Sequence, residues 1–274
     1  MNRATHEERT AVIVGSSSSI GTYIAERLLN EGWRVVGTAR VPNVSLGDYP
    51  VFRCDLSDAS SIQDAANEIV ATFDSWDLLL TCAGTMEPIG SLLDSDDKEW
   101  SENLQVNALG PLHLLRLLWP NRTRVREPNV AFLAGGGTNG TFSNYSAYCI
   151  SKILLIKACE LLDDEEQLGN FFVLGPGYFK SPIHEQTLQA GLRAGQNLTK
   201  TLEFLRGEGT NPTDIFQSLF WCMDAGRKSV GGRNVSTVHD PWREGGVDLK
   251  ASLESDPDAF KLRRKGHCAS KAGG

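Results

Sequence analysis

Residues 11–38 constrain the fold more than any other stretch. Ala11-Val12-Ile13-Val14 is a short apolar run rich in β-branched residues, the composition of a buried strand. It stops at Gly15. Four serines follow, and Ile20-Gly21 opens a segment in which Ile24, Leu28 and Leu29 recur at helical spacing. Gly32 ends that helix, and Arg34-Val35-Val36-Gly37-Thr38 reads as a second strand. Strand, tight turn, helix and strand in this order make a βαβ unit, the form of a dinucleotide-binding fold. The turn has a physical logic. Gly15 lets the chain reverse sharply, and Gly21 lets the helix sit close to the sheet. The helix N-terminus then offers free N–H groups and a positive dipole end to a pyrophosphate, with serine hydroxyls as further donors.

The same alternation continues. Val51-Phe52-Arg53-Cys54 is a third short strand, followed by Asp55-Leu56 and a helix with Ile62, Ala65, Ala66 and Ile69 on one face; Asp55 or Ser57 is placed to cap it. Asp77–Leu80, Asn129–Leu133 and Asn170–Leu174 read as further strands. Long helices are expected over Trp100–Trp119, His184–Gly209 and Pro212–Ala225. Strands alternating with helices predict a Rossmann-like, doubly wound parallel α/β sheet in a single domain over residues 10–240. A polar segment, residues 1–9, precedes it. A C-terminal extension, residues 241–274, follows, with the basic stretch Lys261–Lys265 read as a surface segment and disorder expected from Gly266 onward.

The net charge of −7 argues against nucleic acid and against an anionic membrane surface as partners. No apolar run reaches the roughly 18 residues of a spanning helix. The polar start lacks a signal peptide's apolar core. The six cysteines are scattered without a Cys-x-x-Cys pair, which indicates neither zinc nor a disulfide framework and predicts a cytoplasmic protein with reduced thiols.

The chemistry is expected in Ala147-Tyr148-Cys149-Ile150-Ser151-Lys152. On a helix, Tyr148 and Lys152 share one face. A phenol titrates near ~10 and is a poor acid at neutral pH; a nearby cation favours the phenolate and lowers that value. Such a tyrosine can exchange a proton with a carbonyl or alcohol oxygen. Arg40 ends the second strand where an acidic residue would hold a ribose 2′-hydroxyl and an arginine accommodates a 2′-phosphate, so NADP(H) is favoured over NAD(H).

These motifs resemble those of the short-chain dehydrogenase/reductase (SDR) family, over roughly residues 10–238. Gly15-Ser16-Ser17-Ser18-Ser19-Ile20-Gly21 resembles its Gly-x-x-x-Gly-x-Gly turn, with Ser19 for the middle glycine and Val14 where a threonine is often found. Thr81-Cys82-Ala83-Gly84 resembles Asn-Asn-Ala-Gly, keeping Ala83 and Gly84. Pro176-Gly177-Tyr178-Phe179-Lys180-Ser181 resembles Pro-Gly-x-x-x-Thr. The resemblance implies cofactor contacts along these segments. It also implies Gly231–Val238 as a closing strand, and it puts Asp55 and Leu56 by the adenine, Ser181 by the nicotinamide carboxamide and Lys152 by the nicotinamide ribose, with Tyr148 among the cofactor contacts.

It implies that Asn107 holds a bent backbone and a water that joins Lys152 to solvent. It further implies that the stretch 184–209 is a substrate lid and that the long helices make a homodimer or homotetramer. The family serine, 13 residues before the tyrosine, falls on Gly135, with no hydroxyl. Thr138, the nearest hydroxyl in the pliable Ala134–Gly140 loop, is the first candidate replacement, and Asn139, Ser143 and Ser146 are further ones. The expected activity is hydride transfer between nicotinamide and a carbonyl or secondary alcohol of a small molecule, with Tyr148 as acid/base. The alternatives are a catalytically impaired nucleotide-binding homologue acting as sensor or assembly partner, and an epimerase or dehydratase.

Overall fold

Seven parallel strands form one sheet in the order β3-β2-β1-β4-β5-β6-β7. In the computed structural model, which describes residues 8–42 and 47–264, these are β1 Thr10–Val14, β2 Arg34–Ala39, β3 Val51–Arg53, β4 Leu78–Thr81, β5 Asn129–Leu133, β6 Asn170–Gly175 and β7 Asn234–Ser236. Most of the polar N-terminal segment, and the disorder expected from Gly266, lie outside the described residues. The register runs Val12–Val36 on one side of β1 and Val12–Leu79 on the other. The chain therefore moves outward from β1 to β3, then crosses back to β4. That reversal opens a crevice at the carboxyl ends of β1 and β4.

Alternation along β1 divides the core. Ala11 and Ile13 face one layer, in which Ile24 and Leu28 of α1 (Ser19–Asn30) meet Ile215 and Leu219 of α8 (Pro212–Ala225). Val12 and Val14 face the other, with Ile62 and Ile69 of α2 (Ala59–Thr72), Leu114 of α4 (Gly110–Leu118) and Leu155 of α5 (Ser146–Glu165). A sheet covered on both faces is the doubly wound arrangement, and the fold is a single Rossmann-like α/β domain.

Three elements differ from expectation. The helix read over Trp100–Trp119 is α3 (Asp97–Leu104) and α4 (Gly110–Leu118), joined by a π-helical turn at Gln105–Leu109. Pro111 has no N–H for the carbonyl of Asn107 and its ring crowds that carbonyl, which favours a wider turn there. The helix read over His184–Gly209 is α6 (Ile183–Ala190) and α7 (Gln196–Arg206), separated by a 3-10 turn in which Gly191 and Gly195 take positive φ. The cap of α2 is neither Asp55 nor Ser57 but Asp58, whose carboxylate accepts from the Ser60 N–H at 2.9 Å.

After α5 (Ser146–Glu165), α8 (Pro212–Ala225) and the short α9 (Arg227–Val230), the chain ends its described part with α10 (Val247–Ser255). Leu249 and Leu253 of α10 are buried in the first core layer. The buried Arg233 guanidinium, just before β7, donates to the carbonyls of Leu253 (2.7 Å), Asp256 (3.0 Å) and Ala259 (2.6 Å). Arg263, in the basic stretch near the end, pairs with Glu160 at 2.8 Å and Asp258 at 2.7 Å.

Candidate functional site

A cleft of about 1150 Å³ runs over the carboxyl edge of the sheet. At one end lies the turn after β1. Gly15 has φ +82°, and a Cβ there would stand 2.6 Å from the Ala83 nitrogen and 2.7 Å from its Cα. The main chains after β1 and β4 thus touch at the reversal of strand order, which is possible because Gly15 has no side chain. Ser18 caps α1: its hydroxyl donates to the Gly15 carbonyl (2.8 Å) and accepts from the Gly21 N–H (3.1 Å). Gly21 lies behind the cleft wall, where a Cβ would meet the Gly15 carbonyl.

Gly15, Ser17, Ser18, Ser19 and Ile20 line the cleft. So do Arg40, Asp55 and Leu56 further along the same end. The Asp55 carboxyl is held below its usual range, first by the Ser57 hydroxyl (2.6 Å), with Arg40 adding a smaller attraction. Ala83, Gly84, Pro176, Gly177, Phe179 and Ser181 line the middle.

At the other end, Tyr148 and Lys152 occupy the first turns of α5. They are 7% and 5% exposed, and the Lys152 ammonium lies 5.7 Å from the Tyr148 ring centroid, over the ring. The sequence leads one to expect a phenol acidified by its neighbour; burial instead dominates both groups. It pushes the Tyr148 phenol up, with Cys149 and Tyr178 adding to the rise, and draws Lys152 down to about 8 against a small opposing effect of Cys82. Each group is driven toward its uncharged form because water is excluded.

Asn107 is fully buried beneath them, in the π turn. Its Oδ1 accepts from the Thr85 N–H at 2.8 Å. Its Nδ2 donates to the Thr85 carbonyl (2.8 Å), Asn103 Oδ1 (2.9 Å) and Ser151 Oγ (3.1 Å). A Cβ on Gly84 would stand 3.3 Å from Asn107 Oδ1 and 3.8 Å from Lys152 Nζ, so both groups flank that glycine. Thr138 lines the cleft in the loop after β5. Among the described residues no hydrogen bond joins it to Tyr148.

The short chain dehydrogenase family matches residues 9–190. The chain belongs to this family. An uncharacterized short-chain type dehydrogenase/reductase of Sinorhizobium fredii is 28% identical over 238 residues, 79% of this chain and 90% of the relative. Among solved structures, a short chain dehydrogenase/reductase of Saccharomyces cerevisiae superposes with a TM-score of 0.75 at 20% identity, covering 88% of this chain and 99% of that one. An actinorhodin polyketide ketoreductase with NADPH gives 0.72 at 18% identity, covering 85% and 97%. At these identities the solved structures speak to the fold. The chain is accordingly a short-chain oxidoreductase, of a family that works with a nicotinamide cofactor.

Two features of this short-chain dehydrogenase/reductase were not legible in its sequence. The first is what lies against Gly135, where the resemblance leads one to expect a serine. A Cβ on Gly135 would fall on the Tyr148 hydroxyl, 2.5 Å from Cζ and 2.7 Å from Cε1. The phenol itself sits in that notch. Gly135→Ala is therefore expected to displace a buried ring and cost ~1–3 kcal/mol of stability. Gly140→Ala in the same loop, where a Cβ meets nothing within 4 Å, is the control. Equal chemical-denaturation midpoints for the two variants would show that the ring does not rest on Gly135.

The second is a set of amide side chains around Thr85. Asn103 and Gln186 join Asn107 there. Asn103 and Asn107 stand four apart inside helical structure, where asparagine is disfavoured, and that spacing was a readable signal. Nothing in the sequence marked Gln186.

Proposed function

We propose that the chain is an NADP(H)-dependent oxidoreductase that interconverts a carbonyl and a secondary alcohol on a small molecule, with Tyr148 as the acid/base. The observation that carries this reading is the burial of Tyr148 and Lys152 side by side in the same cleft as the Gly15 turn. The close approach of Gly15 to Ala83 supports a dinucleotide in that cleft, because it sets the serine-rich turn and the N-terminus of α1 along the wall.

Ser17, Ser19 and Ile20 would hold the pyrophosphate, Arg40 a 2′-phosphate, and Asp55 and Leu56 the adenine end. Ala83 and Gly84 line the groove between. Pro176, Gly177, Phe179 and Ser181 would take the carboxamide, and Lys152 the ribose. The nicotinamide, when bound, supplies or accepts the hydride. Burial keeps the Tyr148 phenol protonated, the form that gives a proton to a carbonyl oxygen. Lys152, drawn down to about 8, takes up or releases a proton near neutral pH, and in its charged form it stabilises the phenolate left behind. Asn107, fixed between Thr85 and Ser151, keeps the polar lining behind Lys152 in place for proton exchange with solvent.

Gly135 favours a second reading, a nucleotide-binding homologue with weakened catalysis, since a missing donor at the substrate oxygen typically costs ~10²–10³ in rate. Thr138 is the hydroxyl available to replace it. Exposed Ile150 and Leu161, three turns apart on α5, support assembly as a homodimer or homotetramer, and the free thiols support a cytoplasmic, reducing compartment.

Fluorescence titration with NADPH and NADH tests the cofactor assignment. Saturable binding with NADPH preferred is expected, and Arg40→Asp is expected to shift the preference toward NADH by about tenfold or more, the scale of one lost charge-assisted contact. Binding of neither nucleotide would overturn the reading. An unchanged preference would remove Arg40 from it.

A further inference from the structure

The loop after β4 holds Asn107 of the proposed proton relay through Thr85, and its residues 85–87 belong to no strand or helix. Its main-chain groups are held by amide side chains from two directions. From the α3–π segment, Asn103 Nδ2 donates to the carbonyls of Thr85 and Glu87, and Asn107 clamps both the N–H and the carbonyl of Thr85. From the substrate side, Gln186 of α6 reaches the same loop. Its Oε1 accepts from the Met86 N–H at 2.6 Å, and its Nε2 donates to Thr85 Oγ1 at 3.1 Å. Thr85 Oγ1 in turn accepts from the Glu87 N–H at 3.2 Å.

The contacts continue inward without a break. Asn107 Nδ2 donates to Ser151 Oγ, and Ser151 Oγ donates to the carbonyl of Tyr148 at 2.7 Å. A polar path thus runs from α6, through Thr85 and Asn107, to the first turns of α5. Gln186, Thr85 and Met86 also line the cleft on the side away from the Gly15 turn.

We infer that Gln186 is a positioning residue: it ties the substrate-side helix α6 to Thr85 and thereby fixes the Asn107 carboxamide behind Lys152. A glutamine suits the place because one carboxamide supplies both the acceptor for the Met86 N–H and the donor for the Thr85 hydroxyl. Closure of α6 over a substrate would then set the relay, so the inference rests on the oxidoreductase reading for its kinetic consequence but not for its structural one.

The two are separated by measuring hydrogen exchange and kinetics on the full chain. Gln186→Leu removes every one of these bonds, and Gln186→Glu keeps an acceptor for the Met86 N–H and for the Thr85 hydroxyl, which also approaches Gln186 Oε1 at 3.3 Å. Gln189→Leu, at an exposed position of the same helix, is the control. Gln186→Leu is expected to speed exchange of the Met86 amide about tenfold or more, the effect of unpairing a partly buried donor. It is expected also to speed exchange of the Thr85 amide, which Gln186 does not touch. Gln186→Glu should retain protection at both.

With NADPH and a panel of small ketones, Gln186→Leu should lower kcat about tenfold while the KM for NADPH holds, and Gln186→Glu should restore it. Faster exchange at Met86 with Thr85 unchanged would overturn the coupling, as would an equal loss of kcat in Gln189→Leu. If the parent chain binds neither nicotinamide, the oxidoreductase reading fails, and the Thr85 amide alone decides the inference.

Discussion

Tyr148→Phe is expected to lower turnover ~10²–10⁴-fold, the range a positioned proton donor contributes, and to leave NADPH affinity unchanged. The substitution is a clean one here. The ring packs in a small third cluster with Met86, Ile89, Tyr145, Ala190 and Ala194, and phenylalanine keeps that packing. The phenol oxygen rests against Gly135 rather than against a serine, so its removal does not strand a hydroxyl partner at that position. The folded state should be as stable as before, which separates the loss of a proton donor from the loss of a fold. Steady-state oxidation of NADPH with a ketone panel, beside a thermal melt, makes the measurement. Full turnover in Tyr148→Phe would remove the tyrosine from the chemistry and leave Lys152 without its proposed partner.

The second large effect belongs to Gly15. Two independent penalties meet at this residue. Its φ of +82° lies in the left-handed region, where a β-branched residue is strained by ~1–3 kcal/mol. Its Cβ would also press on backbone, not on the end of a side chain. Ala83 cannot withdraw cheaply, because its N–H and that of Cys82 both donate to the Val14 carbonyl, at 3.1 and 2.7 Å. Gly15→Val should therefore cost ~2–6 kcal/mol, the sum of strain and overpacking, out of a typical ~5–15 kcal/mol of stability. It should also abolish NADPH binding, since the turn can no longer lie flat against Ala83. A variant with parental melting temperature and parental NADPH affinity would show that the two loops do not touch.

The parts of the fold written in local chemistry were the readable ones. The βαβ opening is set by β-branched runs and punctuating glycines. Helix α8 has the bounds expected of it, and its ends are marked locally: Pro212 starts it and Gly226 follows it. Where tertiary contacts decide, the sequence was less informative. Two leucines in nine residues did not announce α10, which is held by burial of Leu249 and Leu253 and by the guanidinium of Arg233. The π turn depends on Pro111 acting on a carbonyl four residues earlier, inside what reads as one amphipathic helix. The candidate site divides the same way. Tyr148, Lys152 and the Gly15 turn were visible as motifs. The notch at Gly135 was visible only as a missing hydroxyl, and its occupant is a side chain 13 positions away.

Arg233 has a consequence for the order in which the molecule can be completed. Its guanidinium, beside the edge strand, finds its acceptors on residues 253–259, the stretch synthesised some twenty positions later. Docking β7 before that stretch is present would bury a cation with no carbonyls to receive it, a costly state. The last edge of the sheet is therefore coupled to the arrival of the segment behind it. A nascent chain halted before Leu253 would hold a formed β1–β6 platform with its final strand unsecured.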